Sequence, residues 1–104
     1  MLGNFMLDDF QFHIVLVMAE FYIASAASLK AKRSVITRIR ERIRSRFNVS
    51  IAEVGYQDKW QRAAFAMTLI NMDKKVLQKD LAAMENLMRE LPDVSVTNIT
   101  VEWL

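Results

Sequence analysis

Eight of the fourteen basic residues in this 104-residue chain fall between Lys30 and Arg46: Lys30, Lys32, Arg33, Arg38, Arg40, Arg42, Arg44 and Arg46. Glu41 is the one acid among them. Such a run is suited to holding anions. Six of the eight are arginine, whose planar donor fork matches a phosphate bidentately. The chain is formally only +2, so a segment of net +7 is a positive ridge on an otherwise mildly acidic body. A plain solvated helix face would also use long aliphatic stems beside a core stripe, but it would interleave both signs. Here Arg38, Arg42 and Arg46 follow one another at i, i+4 and repel by roughly a few tenths of a kcal/mol per pair. A polyanion removes that repulsion. An anionic membrane fits less well, because the apolar stripe of the segment is needed by the core and carries no Trp.

A second group surrounds Trp60. Tyr56, Gln57, Asp58, Gln61 and Arg62 place polar and aromatic side chains on one hairpin. Trp60 can pack over the turn while Asp58 and Arg62 fix its geometry, or Trp60 or Tyr56 can stack on an unpaired base. Both readings stay open from the residues alone.

Catalytic chemistry finds little to work with. There is no Cys, hence no thiolate nucleophile, disulfide or Cys-based metal centre. The single His, His13, lies inside an apolar run and has no second His to complete a metal site. No Gly-rich loop is present to cradle a phosphate. Glu20 and Glu53 could in principle pair as acid and base, although ion pairing to the basic residues is the simpler expectation. No catalytic residue, metal or cofactor is therefore expected.

The elements that position these residues follow from periodicity. Residues 1–10 have no usable period and read as a flexible N-terminal extension ahead of a single domain over 11–104. Phe12–Ile23, apolar on both parities, reads as an interior strand. Its stretch from Ile14 is too short to span a bilayer, contains Glu20 and follows Asp8-Asp9, so it is no signal or membrane segment. A cytoplasmic location without membrane attachment is expected.

Ser28 is a suitable N-cap for a helix reaching about Phe47, with Leu29, Ile36, Ile39, Ile43 and Phe47 as its buried stripe. Val49–Tyr56 reads as a strand, and a third strand runs from about Trp60 to Asn71. Asn71 or Asp73 caps a second helix whose stripe is Leu77, Leu81, Met84, Met88 and Leu91, ended by Pro92. A last strand, Val94–Trp103, changes parity near Thr97-Asn98, as a bulge would make it do.

The order is βαββαβ, an α+β split-βαβ arrangement. It has a four-stranded antiparallel sheet, two helices on one face, and the first and third strands in the centre. The apolar residues of the uncovered face then favour a homo-oligomer. The RNA-recognition motif shares this order, but its third-strand signature is poorly met by Arg62-Ala63-Ala64-Phe65-Ala66-Met67. Nucleic-acid contact is expected from the helix or the hairpin, not the sheet.

The run Ser28-Leu29-Lys30-Ala31-Lys32-Arg33-Ser34, then Arg46-Phe47-Asn48-Val49-Ser50, Ala52-Glu53-Val54 and Gln57-Asp58-x-Trp60-Gln61-Arg62, resembles the YlxP-like family of small uncharacterised bacterial proteins. The resemblance extends from about Ile14 to the C-terminus and implies a ferredoxin-like fold. It implies no enzymatic activity, and it points to the small ribosomal subunit as a partner.

The resulting expectation is a non-enzymatic RNA- or ribosome-associated accessory protein. Lys30, Lys32, Arg33, Arg38, Arg40, Arg42, Arg44 and Arg46 would contact nucleic acid, with Trp60 and Arg62 adding base or shape contacts. The alternative is a homo-oligomeric protein-interaction module whose basic helix docks an acidic protein.

Overall fold

The computed structural model describes residues 4–7 and 10–104. Strand β1 (Asn4–Leu7) leads into the long β2 (Phe10–Tyr22), helix α1 (Leu29–Arg46), strands β3 (Ser50–Gly55) and β4 (Arg62–Asn71), helix α2 (Lys74–Arg89) and strand β5 (Ser95–Trp103). Omitting β1, this is the βαββαβ order of a ferredoxin-like fold, and every strand pair is antiparallel.

β2 and β4 lie together in the centre, β3 flanks β4, and β5 flanks β2 on its other side. β1 pairs with the start of β2, Asn4 opposite His13 and Leu7 opposite Phe10. It therefore continues the β5 edge of β2 as a short fifth strand. No apolar period announces it, because such pairing needs only backbone groups. Of the expected flexible extension, residues 1–3 and 8–9 lie outside the described residues.

The helix-facing side of the sheet is what the β-branched and aromatic residues dictate. Val15, Val17, Ala19 and Phe21 of β2 stand beside Ala63, Phe65, Met67 and Leu69 of β4, all buried. Phe21 and Phe65 meet edge to face with ring centroids 5.9 Å apart, a geometry the ring quadrupoles favour. From α1 come Val35, Ile36, Ile39 and Ile43, and from α2 Leu77, Met84, Leu87 and Met88.

The helix ends follow their sequence signals. The Ser28 hydroxyl accepts from the Ala31 amide at 3.0 Å, and Asp73 does the same for Lys75 at 2.9 Å; such caps contribute about 1 kcal/mol each. Helix α2 stops at Arg89, just short of Pro92. The expected bulge in β5 is present: Val96 opposes Phe21 and Asn98 opposes Glu20, which leaves Thr97 as the extra residue. A second irregularity places Gly55 opposite Ala64 two residues after Glu53 opposes Phe65.

Two stripe assignments change. Leu29 is 45% exposed, and the buried residue on the first full turn of α1 is Lys32, at 1%. In α2 Leu87 is buried, whereas Leu81 is only half-buried. The face of the sheet away from the helices stays partly apolar, with Met18, Val54 and Ile70 exposed. Among the described residues no helix is long and apolar enough to cross a membrane.

Candidate functional site

The two chemistry-bearing groups of the sequence meet at one end of the domain, where α1 begins beside the β3–β4 hairpin. Lys32 joins them. Its Nζ donates to the carbonyl oxygens of Tyr56 at 2.5 Å and Lys59 at 2.6 Å, and lies 3.8 Å from Glu53 Oε2. Burial pushes this ammonium below the ordinary lysine value, against the opposing pull of Glu53. The Glu53 side chain is itself only 5% exposed, and it accepts from Arg33 Nη1 at 2.8 Å. Lys32 is therefore not available to a nucleic acid. Placed one turn before Ile36 on the inward stripe, its charge is consumed in fastening the hairpin to the helix, and Arg33 is engaged with the same carboxylate.

Tyr56 links this clip to the opposite side of the sheet. It adopts φ 58, left-handed backbone that is uncommon for a bulky side chain. While its carbonyl accepts from Lys32, its hydroxyl donates to Glu20 Oε1 at 2.7 Å. Arg62 lies 4.0 Å from the Tyr56 ring centroid, donates to the Tyr56 hydroxyl at 2.8 Å, and is 3.6 Å from Glu20 Oε1. The Asn98 amide donates to Glu20 Oε2 at 3.4 Å. Glu20 and Glu53 thus project from opposite faces of the sheet, with β4 between their strands, and each holds an arginine. They are ion-paired carboxylates and do not form an acid/base couple.

The Tyr56 and Asn98 hydrogen bonds hold the Glu20 carboxyl below its usual value of 4.5, helped by Arg62 and opposed by desolvation; the same Tyr56–Glu20 bond raises the tyrosine. For a carboxylate whose folded value is lowered, the stabilisation is present above the unfolded value and lost as pH falls through the folded one. Urea unfolding from roughly pH 6 down to roughly pH 3 should show the advantage of the parent over E20Q shrinking with acid. A pH-independent difference would remove Glu20 from the acid response.

The remaining basic residues of α1 are placed differently. Lys30, Arg38, Arg42, Arg44 and Arg46 are exposed, and Arg40 is half-buried. None of them, nor Glu41, has an ion-pair partner among the described residues. Arg44 and Arg46 lie in the last turn, where the helix dipole favours cations. Arg38 and Arg42 flank the seam where Val35 and Ile39 meet Leu91 and Pro92. The exposed part of the ridge therefore runs the length of the helix without neutralisation.

Trp60 is 53% exposed at the end of the hairpin. Beside it stands Tyr22, 41% exposed, which the sequence reading did not single out. The signal available was topological: the end of β2 and the start of β4 are register partners, Tyr22 opposite Arg62. His13 is buried in β2. Among the described residues no three His, Asp or Glu side chains converge as a metal site would require.

The clip and the hairpin lie within the residues that a family model matches. The family described as a protein of unknown function (DUF503) matches residues 14–101. The chain belongs to this family. A curated relative, the uncharacterised protein YlxP of Bacillus subtilis, is 38% identical over 84 residues, which span 81% of this chain and 91% of that protein.

A solved structure shows likeness in fold. The designed protein Foldit4 has a TM-score of 0.54 at 13% identity, covering 88% of this chain and 96% of its own. A dimeric ferredoxin-like protein from an uncultured marine organism has a TM-score of 0.42 at 11% identity, covering 88% and 94%. In this DUF503 member Lys32, Arg33, Glu53, Gln61 and Arg62 all have structural partners. Lys30 and Trp60 remain exposed.

Proposed function

We propose that this DUF503 member is a non-enzymatic accessory protein that binds structured RNA through the exposed face of α1, with the small ribosomal subunit as target. The observation that carries this reading is the row of exposed, unneutralised cations: Lys30, Arg38, Arg42, Arg44 and Arg46. A phosphate backbone relieves their mutual repulsion and matches the arginine fork. The subunit is suggested by the family resemblance, and the non-enzymatic reading by the ion-paired state of Glu20 and Glu53.

The test is binding of the purified protein to small ribosomal subunits and to a generic RNA duplex, titrated across salt. If about five phosphates are neutralised, log K should fall with log salt at a slope of roughly −4 to −5. Tight binding to the subunit should outlast binding to the duplex as salt rises. Absence of salt-sensitive binding to either RNA would overturn the proposal. A salt-sensitive complex from cell extract that survives nuclease would move the partner to an acidic protein.

A further inference from the structure

Between the β3–β4 hairpin and the segment joining β2 to α1 lies a groove of about 650 Å³, lined by Tyr22, Ala26, Ala27 and residues 58–62. Two aromatic side chains stand at it in the open, Trp60 and Tyr22. Its walls are fastened to one another. Lys32 holds the hairpin carbonyls of Tyr56 and Lys59, Gln61 Nε2 donates to the Ala24 carbonyl at 3.0 Å, and the Ile23 amide donates to the Gln61 carbonyl at 2.8 Å. The opening is thus formed before any ligand arrives, which spares the ordering cost of binding. Ala26 and Ala27 keep one wall low enough for a flat ring to approach.

Charge and continuity indicate what enters. Lys59, Arg62 and a single acid, Asp58, line the groove, and Lys59 has no ion-pair partner among the described residues. Ala27 immediately precedes the Ser28 cap, so the groove opens at the end of α1 where the cationic ridge begins. From Lys30 to Arg46 that ridge extends about 24 Å at helical rise. A strand whose phosphates follow it is led to the two aromatic faces.

We propose that the groove receives one unpaired nucleobase of the RNA bound along α1, stacked against Trp60 and Tyr22, with Lys59 near its phosphate. This rests on the RNA-binding reading of α1. It adds the requirement for an unpaired nucleotide beside a paired segment.

The experiment compares a short blunt RNA duplex with the same duplex carrying one bulged adenosine. It is run in a W103F background, so that Trp60, one of two tryptophans in the chain, is the sole indole emitter. The bulged duplex should bind about tenfold more tightly, within the range one stacked base supplies, and should quench Trp60. In the full chain, W60A and Y22A should each bring the two duplexes to equal affinity, and W60F should retain most of the preference. W60F and Y22A keep the test decisive if W60A disturbs the hairpin.

Equal, salt-sensitive binding of both duplexes without quenching overturns the groove and leaves the helix reading intact. Binding to neither overturns both. A preference that survives both W60A and Y22A also overturns the groove assignment. So does a Trp60 emission change on concentrating the protein alone, which assigns the groove to a second copy of the chain.

Discussion

Replacing Arg38, Arg42 and Arg46 together by Glu should lower RNA affinity by at least about 100-fold and reduce the salt slope by roughly three contacts' worth. The three side chains are exposed along one flank and make no ion pair among the described residues, so the substitution removes only the contact of Arg46 with the Phe47 ring, 5.9 Å from its centroid. The like-charge ladder is kept with its sign inverted. Arg46 also stands in the last turn, where a carboxylate opposes the helix dipole; the stability cost should stay within about 1 kcal/mol. Circular dichroism and urea unfolding check that the fold persists, and filter binding across salt gives the affinity. Lys74, Lys75 and Lys79 of α2 changed to Glu form the control, since the net charge moves equally on a different helix. A matching loss in that control would reduce the effect to overall charge, and unchanged affinity in the α1 variant would remove the helix as the contact surface.

What the sequence disclosed and what it hid divide along physical lines. Hydrophobic period placed β2 and β4 in the centre because only interior strands need apolar side chains on both parities. Cap chemistry located Ser28 to the residue, and the parity change in β5 put a bulge near Thr97-Asn98, where Thr97 proves to be the extra residue. Lys32 was misread because composition treats every lysine as surface charge. Its position four residues before Ile36 put it on the inward stripe, and that was the legible clue. Why a charge is tolerated there depends on the Tyr56 and Lys59 carbonyls, which only the closed hairpin presents. The separation of Glu20 from Glu53 was already implied by the expected strand order, which puts β4 between their strands. The groove beside Trp60 needed the joining of two distant segments, the end of β2 and the start of β4, and local spacing carries no trace of it.

The reassignment of Lys32 makes the second large prediction. In K32M the Tyr56 and Lys59 carbonyls lose the ammonium that binds both of them, and Glu53 keeps only Arg33. A buried acceptor left without its donor costs about 1–3 kcal/mol, and one removed member of a buried ion pair costs more. Methionine recovers part of the loss by packing, so a net loss of about 2–4 kcal/mol is expected. For a domain of this size that lowers Tm by roughly 10–20 °C. R33A takes the hydrogen-bond donor from Glu53 Oε1 but leaves Lys32 beside the carboxylate and opens the site to water where Arg33 was exposed, so it should cost about 1–2 kcal/mol, less than K32M. The ranking separates the fully buried cation from the half-exposed one, and thermal unfolding of the two variants measures it. RNA binding supplies the decisive contrast: at a temperature where K32M is folded, its affinity for a blunt duplex should stay within about twofold of the parent with the same salt slope. Loss of a phosphate contact would instead lower that slope by about one. A stable K32M with a reduced slope would return Lys32 to the binding face; an unstable K32M with an unchanged slope fixes its role as the bond between helix and hairpin.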